Sequence, residues 1–140
     1  MKKHKEVSLR EFQRLIKNKY VQEYLKQEYQ VSCDYKIPLA GGSNVDGSRY
    51  FIHPDLSLGD RHPVLLHERY EKAFREALEM KHDQAHALAT LGEKQVVKDW
   101  DAYKKRVGRV VSEKSDKLPR DFDYMMEKPE ENRGADIRGD

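Results

Sequence analysis

In "VLLHERYEKAF", residues 64–74, a His is followed at once by one Glu and, four residues on, by another. On an α-helix His67 and Glu71 share a face one turn apart, the spacing by which a helix presents two ligands to one metal ion. Glu68 stands roughly 100° around the helix, where its carboxylate can serve a water beside such an ion instead of ligating it. Imidazole and carboxylate both suit Zn²⁺, and a carboxylate next to an activated water can act as its general base. A catalytic site of this kind needs a third protein ligand. "DQAHALATLGEK" offers two, His86 and Glu93.

The choice between them depends on how the chain turns. With a tight connection at Lys81-His82, the helices before and after it run antiparallel, and counting outward sets Glu93 level with Glu71 and His86 level with Leu78. At ~1.5 Å per residue, His86 then lies about 10 Å along the axis from Glu71. Glu93 is the expected third ligand in that geometry, with His86 in a supporting hydrogen bond. A steep crossing or a looser connection favours His86. The same residues also read as a polar network without metal. His86 would then be an interhelical partner of Glu71 or Glu93, and Glu68, Arg69, Glu71 and Lys72 would be helix-surface ion pairs. His82 pairs with His86 at i,i+4 but falls in the expected turn, and His62 reads as a turn or cap residue.

These residues need elements to hold them. Ser8 with Glu11 three residues on is a capping box, and Leu9, Phe12, Ile16, Tyr20 and Tyr24 follow at helical spacing, predicting one helix to about Tyr29. "VSCDYKIPLA" and "SRYFIHP" read as short strands around "GGSNVDGS", a Gly-rich hairpin loop without the arrangement of a phosphate cradle. Pro38 lacks an N–H and suits an edge strand. Pro63 fits the first turn of the helix that carries His67, and Asp83 reads as N-cap of the next. Gly92 weakens that helix or admits a close neighbour. "DWDAYKKRVGRVV" starts a further helix with Trp100, Tyr103, Val107 and Val110 on one side.

"HERYE" with an acidic residue downstream resembles the zincin metallopeptidases, whose gluzincin branch carries His-Glu-x-x-His on one helix and a Glu ligand on a later one. "VLLHERYEKAFREAL…QAHALATLGEKQVV…DWDAYKKRV" resembles, more closely, small proteins of phages and prophages, over roughly residues 35 to 110. The resemblance implies His67 as ligand, Glu68 as general base, Glu71 in place of the second His and Glu93 as the later Glu. It also implies a peptide or protein substrate, which a peptidase cleft often holds as an added strand on a sheet edge. Glu71 departs from the pattern as a harder, charged ligand, which extends the expected metal from Zn²⁺ to Mn²⁺ or Fe²⁺. Arg69 departs too, being charged where peptidases carry an uncharged residue.

Composition bounds the rest. The chain has 140 residues, 37% hydrophobic and 37% charged, with a net charge of +2. This balance gives no strong field for nucleic acid or a membrane. The charge is uneven, with eight Lys/Arg against four Asp/Glu in residues 1–30 and six against nine in 112–140. Cys33 is the one cysteine, which excludes an intramolecular disulfide and a Cys-based zinc site. "MKKHKEVSLREF" has no apolar run behind its basic start, so no signal peptide is expected, and a cytoplasmic protein is. The sequence thus predicts a single α+β domain over 1–111: an N-terminal helix, a small antiparallel hairpin, and three helices with the site between the central two. Residues 112–140, poor in apolar side chains, are expected to be a weakly ordered tail. The rival to a metal-dependent hydrolase is a non-catalytic phage-type interaction protein. Oligomeric state is not encoded in any recognisable pattern.

Overall fold

The computed structural model of the chain describes residues 7–37, 39–111 and 122–123. Pro38 and most of the expected tail lie outside the described residues. The architecture is α+β, in the predicted order of helix, strands and three helices.

The N-terminal helix is two helices, not one. α1 (Leu9–Ile16) is capped by Ser8, whose Oγ accepts from the Glu11 N–H at 3.1 Å. α2 (Lys19–Leu25) restarts at Asn18, whose Oδ1 accepts from the N–H groups of Tyr20 at 2.8 Å and Val21 at 3.2 Å. An Asn that satisfies two first-turn donors begins a helix more readily than it continues one. The break shifts the buried face by one residue, so Val21 is enclosed and Tyr20, expected inside, is exposed.

The strands differ from expectation as well. β1 is Gln30–Ser32, β2 is Gly41–Asn44, and β3 is Arg49–Ile52. β3 lies between β1, to which it is parallel, and β2, to which it is antiparallel; β4 (Phe122–Asp123) pairs antiparallel with the far side of β2. "GGSN", expected as loop, is therefore an interior strand with all four residues buried. Its glycines have low strand propensity, but the packing demands one of them. A Cβ on Gly41 would stand 2.8 Å from Val64 Cγ1 and 3.1 Å from Glu68 Cγ, so only glycine lets the long helix lie this close to the sheet. The turn proper is Val45–Ser48, where Gly47 takes φ +76°.

That long helix is α3 (Leu58–Leu78), followed by α4 (His82–Lys94) and α5 (Trp100–Val110). α3 begins earlier than Pro63 suggested, because Ser57 caps it by accepting from the Asp60 N–H. α4 begins at His82, with Asp83 in its first turn instead of at the cap. α5 is capped by Asp99, whose carboxylate accepts from the Ala102 N–H at 3.1 Å. α3 and α4 form an antiparallel hairpin. Against one side of it, Phe12 and Val21 join Ala73, Phe74, Ala85 and Leu88 in an apolar core. Val64, Tyr103 and Val107 pack with Ile52 and Leu56 in a second cluster between sheet and α5.

Candidate metal centre

Glu71 stands at the centre of the polar seam between α3 and α4. His67 Nε2 is 3.1 Å from its Oε1, as the i,i+4 spacing requires. Across the seam, His82 Nε2 lies 2.7 Å from Oε2 and His86 Nδ1 lies 3.7 Å from Oε1. The rings of His67 and His86 meet edge to face with centroids 4.8 Å apart. One ligand atom each from His67, Glu71 and His86 falls within 4.8 Å of the others, so the three form a possible metal site. In a tetrahedral zinc site with ~2.0–2.1 Å bonds, ligand atoms stand about 3.3 Å apart, so small side-chain adjustments would close this set.

Glu93 takes a different position from the one counted in sequence. Its Oε1 lies 2.8 Å from His67 Nδ1, on the opposite edge of the imidazole from Glu71, and its Oε2 accepts from the Tyr103 hydroxyl. The cause is the connection. Glu79 adopts a left-handed conformation, φ 53°, and ends α3, so the turn is centred near Met80, two residues before the expected pivot. Moving the pivot by two shifts the cross-seam partner by four: Glu93 comes level with His67, and His86 with Phe74. At ~1.5 Å per residue, His86 is then about 4.5 Å along the axis from Glu71, within reach of a side chain.

The other predicted site residue, Glu68, is buried and leaves α3 on the side of Gly41 in β2. Arg69, the charged departure from the peptidase pattern, points away from the cluster. It donates to the Leu25 carbonyl and stacks 4.3 Å over the Tyr29 ring, fastening α3 to the end of α2. Two participants stand outside the ligand set expected from sequence. His82 was set aside as a turn residue, yet as the first residue of α4 it shares a face with His86. Tyr103 read as part of an apolar stripe. Its signal was its hydroxyl, which must find a partner once the ring is buried.

The electrostatics follow from the enclosure. Burial is the largest single influence on Glu71 and pushes its carboxyl up. Hydrogen bonds from His67 and His82, the approach of His86 at 3.7 Å and the charge of His67 together outweigh it and hold the group well below the ordinary carboxylate range. Two carboxylates flank the His67 ring, one at each nitrogen. Neutral imidazole carries one N–H, so the second contact needs either a second proton or a cation between the nitrogen and the oxygen. His86 Nδ1 is buried with no hydrogen-bond partner. An unpartnered buried nitrogen facing a carboxylate and a second imidazole is what a ligand set looks like, so these residues fit a metal ion.

No protein-family model, no curated protein and no solved structure matches this chain. Among the described residues no helix is long and apolar enough to cross a membrane.

Proposed function

We propose that the chain is a metal-dependent hydrolase of zincin-like character that acts on a peptide or similar amide. The supporting observation is the convergence of His67, Glu71 and His86 on one place, with His86 Nδ1 buried and unpartnered there. A bound Zn²⁺, Mn²⁺ or Fe²⁺ would supply Lewis acidity, polarising a carbonyl and acidifying water. Glu93 orients the His67 ring by accepting a hydrogen bond from its Nδ1–H, which directs the Nε2 lone pair into the site. Tyr103 keeps the Glu93 carboxylate in place through its other oxygen. The zincin pattern assigns the proton transfer to Glu68, which leaves α3 on the Gly41 side and would have to turn its carboxylate toward the ligand set. There it would take a proton from the attacking water and return it to the leaving nitrogen, so that water adds across the C–N bond as it breaks. His82 completes the hydrogen bonding of Glu71 at Oε2.

A rival reading is a non-catalytic interaction protein, and the satisfaction of Glu71 and Glu93 by their own neighbours favours it. In that reading His67 is an imidazolium between two carboxylates.

Elemental analysis of untagged protein separates the two. The hydrolase should carry about one equivalent of metal, and His67→Ala should lose it. Glu68→Gln should keep metal and fold and abolish amide hydrolysis. Absence of metal, with no thermal shift on adding Zn²⁺, Mn²⁺ or Fe²⁺, would favour the interaction protein. A Glu68→Gln variant that unfolds instead would make Glu68 a structural carboxylate.

A further inference from the structure

A cavity of about 310 Å³ opens between α4 and α5, lined by His86, Ala87, Thr90, Trp100, Tyr103 and Lys104. His86 belongs both to this wall and to the candidate metal ligands, so the cavity adjoins the site. Its size is at the small end of the ~300–1,000 Å³ of ligand pockets, room for one ring or branched group and not for a folded partner. Trp100 and Tyr103 stand with ring centroids 5.4 Å apart, giving an aromatic wall. Lys94 and Lys104 hold their ammonium groups 5.5 and 5.9 Å from the centroid of the Trp100 ring. The acid on the wall, Glu93, is occupied by His67 and Tyr103. Asp99, at the start of α5, is engaged as its N-cap. Among the residues that line the cavity, Lys104 carries the ammonium group with which a ligand's carboxylate can pair.

We infer that this cavity binds a compact aromatic or branched apolar group bearing a carboxylate, as at the C-terminal residue of a peptide, with the carboxylate paired to Lys104. The inference rests on the hydrolase reading for its place beside the metal ligands, and names that reading's substrate class. An apolar wall alone would accept any ring. The lysine at its rim selects the acid over the neutral analogue, because a charge-assisted contact is the stronger one. The group before the carboxylate-bearing residue would then lie toward His86, where an amide is presented to the site.

The chain has one tryptophan, and it forms this wall, so its fluorescence reports occupancy without reference to turnover. N-acetylphenylalanine, N-acetylphenylalaninamide and N-acetylglycine are titrated into the full chain, both metal-free and with Zn²⁺. The acid should give a saturable change in Trp100 emission, the amide should bind about tenfold more weakly, and the glycine compound should give no change at the same concentrations. Lys104→Gln should bring the acid to the affinity of the amide and leave the amide unchanged. Equal binding of acid and amide in the wild type, or no saturable change with either, overturns the inference. Binding of the acid by a chain that takes up no metal would sink the metal centre and keep the pocket. Metal uptake without a fluorescence response to the acid would do the reverse.

Discussion

The α3–α4 hairpin has two sides of opposite chemistry. Toward α1 and α2, Phe12 meets Tyr70 edge to face at 5.2 Å and Phe74 at 6.1 Å, with Val21 and Leu88 closing the space. Gly92 lets Tyr70 and Phe12 approach the α4 backbone so closely that a Cβ would stand 2.6 Å from the tyrosine ring. Toward α5, the same two helices enclose His67, Glu71, Glu93 and the Tyr103 hydroxyl, with His82 and His86 partly covered. The first side gains stability simply from apolar area removed from water. The second has to recover the cost of burying charge through its internal contacts, and well-packed apolar residues of similar size would often serve stability as well or better. The polar side is thus the one whose composition stability alone does not explain.

The largest expected effect tests whether the two sides are separable. Phe74→Ala should cost about 3–5 kcal/mol by urea unfolding, as large-to-small changes at enclosed aromatic positions do. The fraction that remains folded should bind Zn²⁺ with unchanged stoichiometry. Loss of metal by the folded fraction would mean that the aromatic side holds the ligands in register, and the contrast between the two sides would fail.

A smaller effect examines the polar side from its edge. Tyr103→Phe keeps the ring in the cluster with Val64 and Val107 and removes only the hydroxyl that bonds Glu93. Leaving a buried carboxylate oxygen without that partner should cost about 1–3 kcal/mol. It should also weaken metal binding about tenfold, because Glu93 would orient His67 less firmly. Isothermal titration with Zn²⁺ reads the second effect separately from the first. Stability loss with unchanged affinity would make the Tyr103–Glu93–His67 chain a packing feature.

How far sequence reaches differs between the two sides for a physical reason. The helical face of His67 and Glu71 follows from spacing alone, since i and i+4 must meet. The apolar side of α3 was likewise legible in Ala73 and Phe74. Which residue of α4 meets His67 was not, because it depends on where the hairpin turns. That pivot is set by Glu79, a non-glycine residue in a left-handed conformation that no residue preference announces. β2 was illegible for the opposite reason: its glycines carry a loop signal, and only the approach of Val64 and Glu68 shows why a strand needs them. The break at Asn18 was legible and was missed, as a cap residue inside a long apolar stripe.

The smallest effect sharpens the comparison by setting an ion pair at the rim of the domain against the enclosed carboxylates. Arg106 grips Asp60 with two hydrogen bonds, Nε to Oδ2 at 2.8 Å and Nη2 to Oδ1 at 2.9 Å, joining α5 to the first turn of α3. The hydrogen bonding of Arg106 is the main influence that holds the Asp60 carboxyl below its usual range, against a smaller opposing effect of burial. A carboxyl lowered on folding stabilises the protein above its unfolded pKa, and that contribution is lost as pH falls through the folded value. The stability difference between wild type and Arg106→Gln should therefore be constant near neutrality and shrink as pH drops below the ordinary aspartate range. Half of the Arg106 side chain remains in solvent, so added salt should shrink the difference too. Measured by urea unfolding across pH and salt, a difference that grows on acidification, or that ignores salt, would mean that Asp60 stabilises through something other than this pair.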